Sequence, residues 1–138
     1  MQTRFILQTR GTGLVEFTPL VADWIGSLGV GEGLLTLFVR HTSCSLLVQE
    51  NADASARADL ASFLGRLVPP ADHPENRWMT HRAEGPDDMP AHVRAALLPV
   101  SLGIPVAGGQ LLLGTWQGIY LWEHRARPHR REVAAHFG

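Results

Sequence analysis

Apolar positions recur with a period of two near both ends of the chain and with a period near 3.6 between them, which predicts strands flanking helices. "TRFILQTR", "GLLTLFVRH" and "SLLVQE" read as strands. "TPLVADWIGSLGV" reads as a helix capped by Thr18, with Pro19 in its first turn and Leu20, Val21, Trp24, Ile25 and Leu28 on one stripe. Gly29 and Gly31 end it. "NADASARADLASFLGRL" is a second, amphipathic helix, capped by Asn51 or Asp53, with Leu60, Phe63, Leu64 and Leu67 as its buried stripe. Pro69-Pro70 stops it, and residues 71–88 are polar and irregular. "MPAHVRAALL" is a short third helix with Val93, Ala96 and Leu97 inward. Strand-like runs close the chain: "VSLGIPV", "QLLLGT" with "GIYLWEH", and "REVAAHF", with Gly108-Gly109 as a hairpin turn. Together these elements predict an α+β class.

Polar residues interrupt this pattern at three places. In "LLTLFVRH" the alternation puts Leu35, Leu37, Val39 and His41 on one face, so His41 ends a buried stripe, either as a satisfied core histidine or as the wall of a cleft. His81 lies in "WMTHRAEGPDDMPAH", and His92 lies four residues after Asp88, on the same face if the third helix starts by Asp88. With Glu84 and Asp87 between them, these residues are a ligand set for zinc or a similar transition metal, though their spacing matches no strong zinc signature and also suits a solvated acidic loop. Glu123 shares a face with Ile119 and Leu121, where burial raises a carboxyl pKa unless a charge or metal pairs it. Arg125, Arg127, Arg130 and Arg131 follow, a cluster suited either to a phosphate or to a charged sheet edge. Ser43 and Cys44 beside His41 raise the question of a nucleophile, but no base-and-orienter pair accompanies them.

Composition narrows the chemistry. The 138 residues suit a single domain spanning 1–138, and 45% hydrophobic with 18% charged residues is ordinary for a globular protein. A net charge of −1 argues against broad nucleic-acid binding. All 12 basic residues are arginine, which excludes Schiff-base lysine and P-loop lysine chemistry. No apolar run approaches the ~20 residues of a membrane span. The N-terminus lacks a signal-peptide pattern and Cys44 is the lone cysteine, so the expected location is the cytoplasm.

Three segments, "RHTSCSLLVQENAD", "HRAEGPDDMPAHVRAALL" and "SLGIPVAGGQLLLGTWQGIYLWEHR", together resemble the YjbQ family along nearly the whole chain. The family is often labelled a secondary type of thiamine-phosphate synthase. The resemblance implies a β-sandwich of about seven strands with two or three helices, assembled as a homotrimer. It also implies a polar site whose histidines are His41, His81 and His92, with Glu84, Asp88, Asn51, Gln117 and Glu123 as its acidic and amide positions and Thr42, Ser43 and Trp116 beside them. The labelled reaction joins a hydroxymethylpyrimidine diphosphate to a thiazole phosphate and expels pyrophosphate. On that reading Glu84, Asp88 or Glu123 holds a divalent ion, Mg2+ or Zn2+, Arg130 and Arg131 hold the phosphorylated ligand, and Trp116 stacks on a heterocycle. The alternatives are a metal-dependent hydrolase built on His41, His81 and His92, or a non-catalytic trimer that binds a ligand or metal.

Overall fold

The structure is a computed structural model describing residues 1–138. Eight strands and three helices follow in the order β1 (Gln2–Gln8), β2 (Gly13–Glu16), α1 (Thr18–Ser27), β3 (Gly33–Val39), β4 (Cys44–Glu50), α2 (Ala54–Leu67), α3 (Asp88–Leu97), β5 (Ser101–Ala107), β6 (Gln110–Leu111), β7 (Gln117–Glu123) and β8 (Arg130–Phe137), with a 3-10 turn at Pro74–Asn76. The strands form two antiparallel sheets, ordered β1-β8-β3-β5-β6 and β2-β7-β4. The mixed α+β class is as expected. The short β2 escaped the periodicity because four residues carry too few alternations to register. "QLLLGT" shortens to the two-residue β6.

The inner faces of the sheets meet in one core. Phe5, Leu35, Leu37, Val39 and Val133 come from the larger sheet, Cys44, Leu46, Ile119 and Leu121 from the smaller, and Val21 and Ile25 from α1. Strand alternation delivers these residues, and each Leu or Ile so buried contributes on the order of 1.5–3 kcal/mol. The outer face of the smaller sheet is covered by α2 and α3, where Leu64 and Val68 pack on Trp122. The Gly108-Gly109 turn is as predicted: both residues have positive φ, 58° and 72°, as a two-residue hairpin loop between Ala107 and Gln110 requires.

Local expectations change in detail. Thr18 does not cap α1. It is the first helical residue, its hydroxyl donates to Glu16 and accepts the Ile119 N–H, and Gly29 ends the helix with φ 64°. Asp53, not Asn51, caps α2 by accepting from Ser55 N–H at 2.9 Å. Of the predicted α2 stripe only Leu64 is buried, while Phe63 and Leu67 are 63% and 56% exposed. On α3 the buried face is Asp88, Ala91 and Ala95, and Ala96 and Leu97 turn outward, because contacts at the first turn set the helix's rotation.

His124 was not singled out by the pattern, yet it is 2% exposed, with Nε2 2.8 Å from the Ser45 hydroxyl and no partner at Nδ1. Burial first, then the Arg94 guanidinium, push its pKa down to about 4, despite the opposing Glu123 carboxylate. The unfolded chain therefore takes up a proton near pH 6.5 that the folded one refuses. Stability contributed by neutral His124 is intact above pH 6.5 and is lost as pH falls toward 4, by up to about 3 kcal/mol. Denaturant titrations at pH 7.0, 5.5 and 4.5 should show this slope, and His124→Gln should flatten it. An unchanged slope in the variant rules the assignment out.

Candidate metal centre

The segment from Pro69 to Asp87 has almost no regular structure, yet it is tied down. Arg82 donates to three carbonyls, those of Met79 (2.7 Å), Ala71 (2.9 Å) and Asn76 (2.9 Å), and Asn76 donates to the carbonyls of Pro69 and Pro70. These bonds replace the missing ladder and present His81, the next residue before Arg82, to the start of α3.

There Asp88, only 2% exposed, sits between two histidines. Its Oδ2 is 2.7 Å from His81 Nε2 and 3.6 Å from His92 Nε2, one turn along the helix. Arg125 donates to Oδ1 at 2.8 Å and also grips the neighbouring Asp87 at 2.9 Å and the Glu84 carbonyl. Burial alone would raise the Asp88 pKa. The hydrogen bond from His81 and the charge of Arg125 outweigh it and hold the carboxyl below the usual range. His92 Nδ1 lies 3.1 Å from the Thr42 carbonyl, which only accepts, so Nδ1 donates there and Nε2 is the nitrogen turned toward Asp88. The ligand atoms of His81, Asp88 and His92 lie within 4.8 Å of one another.

His41 takes another place. Its Nε2 accepts the Glu132 N–H at 2.9 Å, which leaves the neutral ring's proton on Nδ1. Burial first and the charge of Arg131 second lower its pKa. It shares with His92 a cleft of about 580 Å³ between the end of β3 and α3. Thr42 serves through its carbonyl, and Glu84 is exposed beside the cluster.

Glu123 and Arg131 lie inside the protein. Glu123 is fully buried and accepts from Arg131, from the Thr9 hydroxyl at 2.7 Å and from two backbone N–H groups. Burial would raise its pKa, but Arg131, Thr9 and the Arg125 amide together lower it. Arg131, 5% exposed, also donates to Ser43 Oγ at 2.9 Å, which ties Ser43 to the buried Glu123–Arg131 pair. Cys44 is fully buried and its thiol is pushed up to about 12, an inert group. Arg130 projects from the outer face of β8. Asn51, Trp116 and Gln117 gather at a turn where Asn51 donates to the carbonyls of Thr115 and Gln117 and Trp116 is 65% exposed. That turn is at the far end of the β4–β7 ladder, six pairs from Cys44–Glu123, which is about 20 Å at ~3.4 Å per residue. Within one chain, then, His81, Asp88 and His92 come together with His41, Thr42 and Glu84 beside them, while Ser43, Glu123 and Arg131 lie inside and Asn51, Trp116, Gln117 and Arg130 lie elsewhere.

A family model described as "UPF0047 protein YjbQ-like" matches residues 3–138. The chain belongs to the YjbQ/UPF0047 family. A UPF0047 protein of Synechocystis is 49% identical over 98% of this chain and 89% of its own length. The YjbQ protein of Salmonella typhimurium is 40% identical over 97% and 94%. Among solved structures, a conserved hypothetical protein of Thermus thermophilus superposes with TM-score 0.83 at 34% identity over 99% of both chains. A hypothetical protein of Aeropyrum pernix reaches 0.87 at 28% identity over 100% and 98%. The fold is therefore the YjbQ fold. No helix is long and apolar enough to cross a membrane.

The residue that sequence reading undervalued is Arg125. It was visible only as one of four clustered arginines, and the signal that separates it is pairing with Asp87-Asp88, which no spacing rule links across 37 residues.

Proposed function

We propose that His81, Asp88 and His92 hold one divalent transition-metal ion and that the YjbQ chain is a metal-dependent hydrolase. The observation that carries this is the preset donor set: two imidazoles and an anionic carboxylate converging within 4.8 Å, with His92 fixed by Thr42 and Asp88 by Arg125. Two nitrogens and one oxygen suit zinc better than magnesium, which prefers oxygen ligands alone. His81 must move its Nε2 proton to Nδ1 to ligate, a tautomer shift a neutral ring makes without losing charge. An ion held by three protein ligands keeps an open position, where it polarises a substrate oxygen and lowers the pKa of water. The chain's own residues orient that position: Arg125 holds the carboxylate, and the exposed edges of His81 and His92 face solvent, at 50% and 33% side-chain exposure.

The transferase reading draws less support. Of the arginines it assigned to phosphate, Arg131 is only 5% exposed and paired with Glu123, and Arg130 lies on the outer sheet face. Asn51, Trp116 and Gln117 join the metal centre only if a second copy brings them there, as the homotrimer implied by the family would allow. Sedimentation equilibrium tests that assembly: three chain masses are expected, and a monomer removes these residues from the site.

For the metal, titrating zinc into protein purified without a histidine tag should give saturation at about one ion per chain, with His92→Ala abolishing it. No saturable uptake, or uptake unchanged in the variant, overturns the proposal.

A further inference from the structure

The cleft shared by His92 and His41 differs from the metal cluster it adjoins. Its lining is mostly apolar and made of small or flat side chains, Phe38, Ala95, Ala96 and Val100. Its one charged lining residue, Arg40, is committed to Glu132 at 2.6 Å. The lining thus offers an anion only a surface guanidinium that already faces a carboxylate. The volume, about 580 Å³, is that of a small-molecule site. The polar groups stand at one wall. His92 belongs both to the cleft and to the donor cluster, and His41, whose Nε2 is occupied, carries its proton on Nδ1.

We infer that this cleft receives the apolar part of a neutral, compact carbonyl ester, with the ester group at the His92 end. This rests on the hydrolase reading for its chemistry, but the binding surface stands on the cleft itself. A phosphorylated or carboxylate-bearing group would compete with Glu132 for Arg40 and lose water against the apolar lining. A short acyl chain instead removes its surface from water against Phe38, Ala95, Ala96 and Val100. The reaction balances with water alone: the acyl C–O bond breaks, a new bond forms from the acyl carbon to the water oxygen, and the proton lost by water passes to the departing alkoxide.

The test has two arms. First, ethyl butyrate is titrated into the metal-free protein and followed by amide NMR. Shifts are expected at residues 38–42, 92, 95, 96 and 100, and Ala96→Phe, an exposed helical position whose larger ring fills the cleft, should weaken binding at least tenfold while leaving the remaining spectrum and the zinc affinity intact. Absence of shifts at the cleft, or shifts unchanged in Ala96→Phe, overturns the inference whatever the metal does. Second, the zinc-loaded protein is assayed with 4-nitrophenyl butyrate and with bis(4-nitrophenyl) phosphate. The neutral ester should be the better substrate, and Ala96→Phe should lower its kcat/KM at least tenfold. Preference for the phosphodiester refutes the substrate class. If the first arm succeeds and zinc is not bound, the cleft stands and the hydrolase reading falls.

Discussion

Glu123→Gln is expected to destabilise the protein by about 3–5 kcal/mol, enough to lower the melting temperature by roughly 10 °C or more. The substitution keeps the shape of the side chain and removes its charge. Arg131, only 5% exposed, is left as a buried cation facing a neutral amide, and two backbone N–H groups lose a charged acceptor. Breaking one partner of such a pair costs far more than the pair contributes net, because the surviving charge stays desolvated. Arg131→Met should cost a similar amount, and the double variant should be less destabilised than the sum, with a coupling of about 2 kcal/mol. The pair also carries a pH signature. Glu123 has a folded pKa below the ordinary value, so its contribution is present above the usual glutamate range and is lost as pH falls through the lower folded value. Urea titrations of the three variants decide the matter. A stable Glu123→Gln protein with impaired zinc or ester binding would return Glu123 to the functional site.

The contrast between Glu123 and Asp88 marks what a linear sequence discloses. Both are buried acids, Glu123 on a face that periodicity marks as buried and Asp88 on one it does not, and both pair with an arginine that the sequence displays within a single cluster. Alternation located most of the strands and the core residues Leu35, Leu37 and Val39, and the pattern of "MPAHVRAALL" came within one residue of the helix start at Asp88, because each of these is a short-range property of the chain. It could not say which arginine meets which acid. Arg131 reaches Glu123 across the β7–β8 connection, whereas Arg125 reaches back 37 residues to Asp88, and only tertiary placement separates the two. The same limit scattered the expected site. His41 and His92 do meet around one cleft, but a backbone N–H of β8 claims His41 Nε2, and Asn51 and Gln117 fall at the far end of the β4–β7 ladder because the antiparallel register puts Glu50 opposite Gln117. The family resemblance gathered all these residues into one polar site, whereas within one chain only His81, Asp88 and His92 bring ligand atoms together.

Asp88→Asn is expected to remove tight zinc binding while leaving the fold cooperative. Asparagine keeps a carbonyl oxygen near Oδ2 but offers no negative charge, so both the ion's anionic ligand and the acceptor for Arg125 are lost together. Arg125→Ala separates these effects. It leaves Asp88 in place and takes away the clamp on Oδ1 and on Asp87, so zinc affinity should fall by roughly 10–100-fold, the range for an outer-shell partner, and Asp88→Asn should fall further. The order of the two losses is the discriminating result, because a purely structural Asp88–Arg125 bridge predicts equal loss of stability in both variants and no ranking in metal affinity. Zinc titrations by calorimetry, with thermal melts of the same metal-free samples, give both quantities. Asp88→Asn binding zinc as tightly as the native protein would break the metal centre as drawn. Arg125→Ala losing more affinity than Asp88→Asn would mean that Arg125 sets the position of His81 and the whole turn before α3, not of the Asp88 carboxylate alone.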